Sequence, residues 1–305
     1  DNNYKKRKFD PRSGSNPFIV YDYSTPIDEK LEQRFIVRHR LNKKYPKQEI
    51  SEPVDPIVYY IDNGTPEPVK TALIEGGNWW NQAFESAGYK DAFRIEVLPE
   101  DADPMDVRYN LIQWIHRSTR GWSYGASIVD PRTGEIIKGQ VSLGSLRVRQ
   151  DYMILSGLID NPNDIENKAL IKETSLDRIR QLSAHEIGHT LGFAHNYISS
   201  ANNRSSVMDY PHPKIDIIDG DINIDNAYSK NIGDWDKVSV RYAYTDFQEN
   251  EEIKLNQIIE EAVNKGLYFL SDSDSRPVGS ANPFSHLWDN GEFPYKELNL
   301  SLIHI

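Results

Sequence analysis

Cysteine is absent from all 305 residues of the chain. Its absence excludes disulfides, a cysteine-based zinc site and a thiol nucleophile, and also latency through a cysteine that caps a metal ion. Basic residues are outnumbered by acidic ones, 35 to 46, and the net charge of −11 disfavours nucleic acid as a general partner. No run approaches the roughly 18 apolar residues of a membrane-spanning segment, so none is expected.

The most informative segment of the chain is S-A-H-E-I-G-H-T-L-G-F-A-H-N, which begins at Ser183. His185 and His189 are four residues apart, which on an α-helix places both imidazoles on one face, where they can bind one metal ion. Gly192 allows a sharp exit from the helix, because glycine adopts left-handed conformations at little cost. That exit brings His195 back as a third ligand.

Three histidine ligands leave a fourth coordination position open, which is typical of a catalytic rather than a structural zinc site. Glu186 projects about 100° around the helix from His185, so it can reach a water on the metal without binding the metal itself. The pattern predicts one Zn²⁺ bound by His185, His189 and His195. It also predicts that Glu186 takes a proton from the water and later delivers it to a leaving amine.

The elements around this motif predict an α/β (α+β) fold with a mixed, mostly parallel twisted sheet. Strands are expected at 57–61, 93–98, 107–115, 121–130 and 135–143, the last two as a hairpin, with a long amphipathic helix from Glu67 to Ala87. Residues 160–173 are expected to be mainly loop, and Thr174 or Ser175 to cap the helix that carries the histidines. We expect a lead-in or linker at 1–50, the catalytic core at 51–213 and a mainly helical, incomplete C-terminal subdomain at 214–305.

The strand at 135–143 offers a candidate surface for substrate. Gln140, Ser142 and the following Gly144 give it little bulk, as an edge that pairs with an extended peptide requires, although an ordinary solvated edge has the same composition. Trp122 and Tyr124 are expected to line the same cleft. The acidic loops Ser271–Asp274 and Asp289–Gly291 are possible Ca²⁺ sites, since calcium prefers carboxylate and carbonyl oxygens, but neither has EF-hand spacing.

The full H-E-x-x-H-x-x-G-x-x-H motif, followed by S-V-M-D-Y, resembles the metzincin metallopeptidases. The segments E-G-G-N-W-W-N-Q-A-F-E-S-A-G, R-G-W-S-Y-G-A-S-I-V-D-P-R-T-G-E-I, R-S-S-V-M-D-Y-P-H-P and L-W-D-N-G resemble more closely a group of bacterial zinc-dependent metalloproteases. In that group a Met-zincin catalytic domain follows upstream domains of unknown function. The resemblance implies an upstream domain in a longer chain and a secreted, periplasmic or envelope-associated location.

The resemblance also implies roles for two residues after the histidines. Met208 would form the methionine turn, an apolar floor beneath the metal ligands. Tyr210 would reach the metal or the oxyanion, as a tyrosine does in astacins and serralysins, with simple packing as the alternative. For Asn196, which follows the third histidine, we hypothesise a side-chain hydrogen bond toward the Ser206–Tyr210 loop.

The function expected from these residues is hydrolysis of a peptide bond in a peptide or protein substrate, without a covalent intermediate. Two alternatives remain: a zinc hydrolase acting on a non-peptide amide, since the metal chemistry would be the same, and a catalytically silent binding module on a peptidase fold. An intact Glu186 beside three histidines argues against the silent module.

Overall fold

The computed structural model describes residues 4–119, 121–210, 212–279 and 282–302. The strands are β1 (Pro17–Tyr21), β2 (Glu32–Ile36), β3 (Ile57–Ile61), β4 (Phe93–Val97), β5 (Asn110–Ile115), β6 (Tyr124–Val129), β7 (Ile136–Gly144), β8 (Asp216–Ile218) and β9 (Asp221–Asn223). The helices are α1 (Val69–Asn78), α2 (Trp80–Ser86), α3 (Leu146–Leu158), α4 (Ile165–Thr190), α5 (Asp234–Tyr244), α6 (Glu251–Asn264), α7 (Asp272–Ser275) and α8 (Pro294–Leu302), with a 3-10 turn at Ser199–Asn202.

A five-stranded mixed sheet in the order β4-β3-β5-β7-β6 carries the site. β4, β3, β5 and β7 run parallel, and β6 pairs antiparallel with β7. The predicted α/β class with a mixed, mostly parallel sheet is therefore confirmed, as is the hairpin. The alternation in β3, where Ile57, Tyr59 and Ile61 are buried, shows the period-two pattern expected of a strand against a core.

The prediction that the strand at 135–143 forms an edge is wrong. β7 lies between β5 and β6, and Gln140, Ser142 and Gly144 all pair with β5 residues. Ser142 is buried, and Gln140 donates a hydrogen bond to Gln113 across the pair. The small side chains fit an inner strand flanked on both sides, and the edge strand is β6.

The predicted helix from Glu67 to Ala87 is two helices, divided at Trp79. The N–H of Trp79 donates to the carbonyl of Gly76 at the boundary between α1 and α2; this 3-10 bond is one residue shorter than an α-helical bond. The two glycines of the E-G-G motif allow close packing: a Cβ on Gly76 would lie 2.0 Å from the carbonyl oxygen of Arg180, and one on Gly77 would lie 2.2 Å from Ile95. The motif thus sets how closely α1 approaches the metal-binding helix α4.

Helix α4 begins ten residues before the predicted cap. Asp164 is its N-cap and accepts a hydrogen bond from the N–H of Glu166. Ser175 lies inside the helix, where its hydroxyl donates to the carbonyl of Ile171. The expectation of a mainly loop segment at 160–173, with a cap at Thr174 or Ser175, is therefore wrong.

The N-terminal segment packs against the rest of the chain from residue 4 onward. Arg7 is buried and donates to the carbonyls of Tyr242 and Thr245 in and after α5, while Gly14 and Asn16 exchange backbone hydrogen bonds with 192–194. Residues 7–16 thus contact helix α5 and the turn after α4. Helices α5 and α6 contribute to the same hydrophobic core as the sheet and α4. The predicted boundaries and the upstream domain stay predictions.

Candidate metal centre and active site

Helix α4 and the turn after it bring the three predicted ligands together. His185 and His189 lie one turn apart on the last part of α4. The helix ends at Thr190, and Gly192 follows with φ +100°; a Cβ there would lie 2.1 Å from the carbonyl oxygen of Val37. Because glycine alone tolerates both the angle and the contact, the chain turns back and His195 approaches His189.

The ring nitrogens of the three histidines converge on one point. The Nε2 atom of His189 lies 3.2 Å from that of His185 and 3.1 Å from that of His195. Zinc bonds of about 2.0–2.1 Å at tetrahedral angles require nitrogen atoms about 3.3 Å apart. Within the described residues, these three form the one group of histidine or carboxylate side chains placed to share a metal ion. The donor set and the spacing fit Zn²⁺.

Each ligand is oriented by a hydrogen bond at its other ring nitrogen. The Nδ1–H of His185 donates to the carbonyl of Val207 at 2.7 Å, and that of His189 to the carbonyl of Phe193 at 2.9 Å. The Nδ1–H of His195 donates to the carboxylate of Asp272 at 2.7 Å. These acceptors place the proton on Nδ1 and leave the Nε2 lone pair directed at the metal position.

Burial keeps the three imidazoles neutral near pH 7. It lowers the pKa of His185 well below its ordinary value and that of His189 to about 4, with the neighbouring histidines adding to the effect. The pKa of His195 is also lowered by burial, although Asp272 opposes the shift. Neutral imidazole is the form that binds a metal, so the site needs little proton release before binding.

Glu186 lies beside the ligands in a dry environment. Its side chain is 5% exposed, and burial raises its pKa to about 7, opposed by the charge of Arg178 and by the N–H of Gly125. A carboxylate with a pKa near the working pH can both accept and return a proton. The local chemistry at Glu186 therefore suits the predicted general base and acid.

Met208 and Tyr210 approach the ligands from two sides. Met208 is buried against α4, where a Cβ on Gly188 would lie 2.2 Å from its sulfur and 2.7 Å from the ring of Trp80, so the glycine leaves room for both side chains. The Tyr210 ring centroid is 4.5 Å from that of His195 and 5.2 Å from that of His185. The structure thus places Met208 against the ligand-bearing helix and Tyr210 beside two of the histidines, and the roles implied by the resemblance stay predictions.

The hypothesis for the Asn196 side chain is wrong. Its amide donates to the carbonyl of Tyr268 and accepts from the N–H of Leu270, both at 3.0 Å. The link to the methionine turn is made instead by the Asn196 backbone N–H, which donates to the carbonyl of Met208. Asn196 therefore binds the 268–270 segment that leads directly to Asp272.

The cleft beside the ligands is bounded by β6. Ser123, Tyr124, Gly125, Ala126 and Ser127 line it together with Glu186, His189 and His195. A Cβ on Gly125 would lie 2.1 Å from the carbonyl oxygen of Glu186, so the edge strand and α4 are in backbone contact. Of the residues proposed from sequence for the substrate edge, Gly144 alone lines a cavity near the site, together with Trp122, Glu186 and Tyr210.

Three contributors to the site were not found from the sequence. Asp272 supports His195, Trp288 stacks on Tyr210 with ring centroids 5.3 Å apart, and Arg178 lines a cavity together with Glu186. Asp272 lies in an acidic loop singled out as a possible calcium site, and Trp288 in the L-W-D-N-G segment. Nothing in either segment indicated a contact with a site residue about 80 residues earlier, His195 for Asp272 and Tyr210 for Trp288.

Calcium stays a prediction for the two acidic loops. In the first, Asp272 binds His195, Tyr197 and Arg276, and Asp274 accepts from Ser271 at the start of α7. These carboxylates are therefore already engaged by protein donors. None of the helices in the described ranges is long and apolar enough to cross a lipid bilayer.

Comparison with protein families gives one match. The model of a family described as Met-zincin matches residues 167–304, a range that includes all three metal ligands, Glu186, Met208 and Asp272. No curated protein sequence and no solved structure matches the chain. With the three-histidine centre on α4, the match indicates a zinc metallopeptidase type of domain in residues 167–304, which are similar to the Met-zincin family.

Proposed function

We propose that the chain is a zinc-dependent peptidase in which Glu186 is the general base and acid. The observation that supports this most directly is the arrangement at the end of α4. Three neutral imidazoles converge there, and a buried carboxylate with a pKa of about 7 lies next to them. When bound, zinc would lower the pKa of water and polarise the carbonyl of the substrate.

Glu186 and Tyr210 have the two remaining roles in the proposed reaction, proton transfer and stabilisation of the oxyanion. Glu186 accepts a proton from the attacking water and returns it to the leaving amine, so the amine lies on the Glu186 side of the site. Tyr210 lies against His185 and His195, and we assign its hydroxyl to the developing oxyanion. Glu186 and the histidines are largely removed from solvent, which strengthens each of these interactions.

An extended substrate would lie along β6. This strand is one of the two edges of the five-stranded sheet, and its residues 124–127 line the cleft that contains His189 and His195. A peptide in extended form can add to such an edge through backbone hydrogen bonds. The same geometry favours a peptide over a small non-peptide amide, which has no backbone to pair with the strand.

The test is cleavage of a quenched peptide library by the zinc-loaded chain. We expect turnover that chelation abolishes and zinc restores, and a loss of about 100- to 10,000-fold in kcat for Glu186→Gln with zinc still bound. Glu166→Gln, an exposed glutamate in the first turn of the same helix, is the matched control and should retain full activity. Turnover that persists in Glu186→Gln, or in excess chelator, would refute the proposal.

A secreted or envelope-associated location and an upstream domain in the same polypeptide are proposals that rest on the resemblance alone. Fractionation of the source cells, with an antibody against this chain, would test both. A single immunoblot band of about 35 kDa, the size of this chain, found in the cytosolic fraction would contradict both proposals.

A further inference from the structure

A cavity opens beside Glu186, and none of the three metal ligands is among its lining residues. It has a volume of about 110 Å³, equal to three or four water molecules at about 30 Å³ each. Helix α3, the segment before β6 and helix α4 form its walls, and Tyr210 and Trp288 border it. Its charged lining residues are Arg117, Arg147, Arg178 and Glu186.

The three arginines differ in how their charges are matched. Arg147 forms a two-pronged ion pair with Asp151, and Arg117 is half-buried and donates to the carbonyl of Trp122. Arg178 is 5% exposed, donates one hydrogen bond, to the neutral amide of Gln181, and packs its guanidinium over Tyr228. It forms no ion pair with any carboxylate in the parts of the chain that the structure describes.

A buried guanidinium without a carboxylate partner is costly unless another anion satisfies it. Burial, with the nearby charge of Arg147, lowers the pKa of Arg178, while Asp151 and Glu186 partly oppose the shift from a distance. Glu186 cannot fill the role of partner while it exchanges protons during turnover. The position is therefore suited to an anion that enters with the substrate.

The place of the cavity identifies the part of the substrate that enters it. Because Glu186 returns its proton to the leaving amine, the residue that supplies this amine lies against Glu186. Its side chain, or its terminal carboxylate, then points into the space lined by Glu186 and Arg178.

We propose that Arg178 binds a carboxylate of the substrate residue on the C-terminal side of the cleaved bond, which makes the enzyme selective for an acidic group there. The inference rests on the proposed peptidase function. The carboxylate belongs either to a glutamate or aspartate side chain or to a free C-terminus at that residue. A charge-assisted bond of this kind is worth about tenfold to hundredfold in kcat/KM.

The first test compares peptides that differ only in Glu or Gln after the cleaved bond, each with an amidated end. A second pair places a C-terminal alanine there, free or amidated, and separates the two sources of the carboxylate. The wild-type chain should prefer at least one carboxylate-bearing peptide of the pairs by tenfold or more. Arg178→Gln should reduce that preference to near unity, Arg178→Lys should retain part of it, and Lys172→Gln, an exposed cation on α4, should leave it unchanged.

Binding provides a readout that needs no turnover. Glu-Ala-Gly amide and Gln-Ala-Gly amide are titrated into the chelator-treated chain by NMR, with the wild type and Arg178→Gln in parallel. Binding of the Glu peptide at least tenfold tighter, dependent on Arg178, without cleavage of any peptide would support the pocket and refute the peptidase. Cleavage without a carboxylate preference in either pair would overturn the pocket and leave the peptidase standing. Equal loss for both members of a pair in Arg178→Gln would assign Arg178 to folding alone and overturn the inference.

Discussion

Removal of the Asp272 carboxylate should weaken zinc binding although Asp272 never contacts the metal. The carboxylate lies 2.7 Å from Nδ1 of His195, the third ligand, and is held in turn by Tyr197 and Arg276. It fixes the orientation of the imidazole and increases the electron density at Nε2. Loss of such a partner typically reduces metal affinity by about 10- to 100-fold.

The structure places the effect toward the lower end of that range. The Asp272 side chain is 42% exposed, so solvent screens part of its charge. For Asp272→Ala we expect a zinc dissociation constant raised by about tenfold, which corresponds to about 1.4 kcal/mol. Asp272→Asn keeps a hydrogen-bond acceptor and loses the charge, so its effect should be smaller.

Zinc affinity is measured by competition with a chromogenic chelator at neutral pH, with circular dichroism as a check of folding. Asp274→Asn is the matched control, because Asp274 lies in the same short helix and its carboxylate binds Ser271 rather than a histidine. If Asp272→Ala binds zinc as tightly as the wild type does, His195 does not depend on this carboxylate and the reasoning fails.

Three further predictions concern the contacts of Gly125, Asn196 and Glu251. Gly125→Ala should lower activity and reduce the free energy of unfolding by about 2 kcal/mol, because the new Cβ would meet a backbone carbonyl of α4. The stability is measured by thermal melts. The control is Gly157→Ala, in open space on helix α3, which should raise the free energy of unfolding by up to about 1 kcal/mol. Asn196→Ala should destabilise the chain by about 1–3 kcal/mol, because it leaves two backbone groups of the 268–270 segment unpaired. Amide hydrogen exchange should become faster at residues 268–272. Unchanged exchange at these residues would contradict the role of the Asn196 side chain. For Glu251, burial raises the pKa, but the hydrogen bond from Lys5 and the charge of Arg7 outweigh it and hold the pKa below its ordinary value of 4.5. The stabilisation is therefore present above pH 4.5 and lost as the pH falls through the lowered pKa of Glu251. Glu251→Gln should be less stable than the wild type at pH 7, by less than about 1 kcal/mol, and equally stable near pH 2. A stability difference that widens in acid would contradict the direction of the shift.

The local pattern of the chain was sufficient for the metal ligands. Two histidines at a four-residue spacing share a helix face whatever surrounds them, and Gly192 marks the helix exit because its φ of +100° is strained for other residues. The buried strands could be predicted for the same reason, since their alternation is a property of adjacent residues.

The sequence was less informative where two patterns compete within one segment. The polar residues before Thr174 indicate a loop, yet they continue α4, because Asp164 caps the helix and polar side chains are acceptable on its exposed first turns. In the hairpin of β6 and β7, both strands alternate, and nothing local tells which one pairs with β5.

Tertiary structure alone decided which residues support and surround the metal ligands. Asp272 is 77 residues from His195 along the chain, and Tyr268, whose carbonyl accepts a hydrogen bond from Asn196, is 72 residues from it. Arg178 forms one side of a cavity whose other walls come from α3 and the segment before β6. The sequence by itself determined that His185, His189 and His195 converge and that Glu186 lies beside them, because their geometry follows from a single helix and turn. The edge strand, the carboxylate behind His195 and the charge in the cavity depend on contacts between distant segments, which no local periodicity encodes.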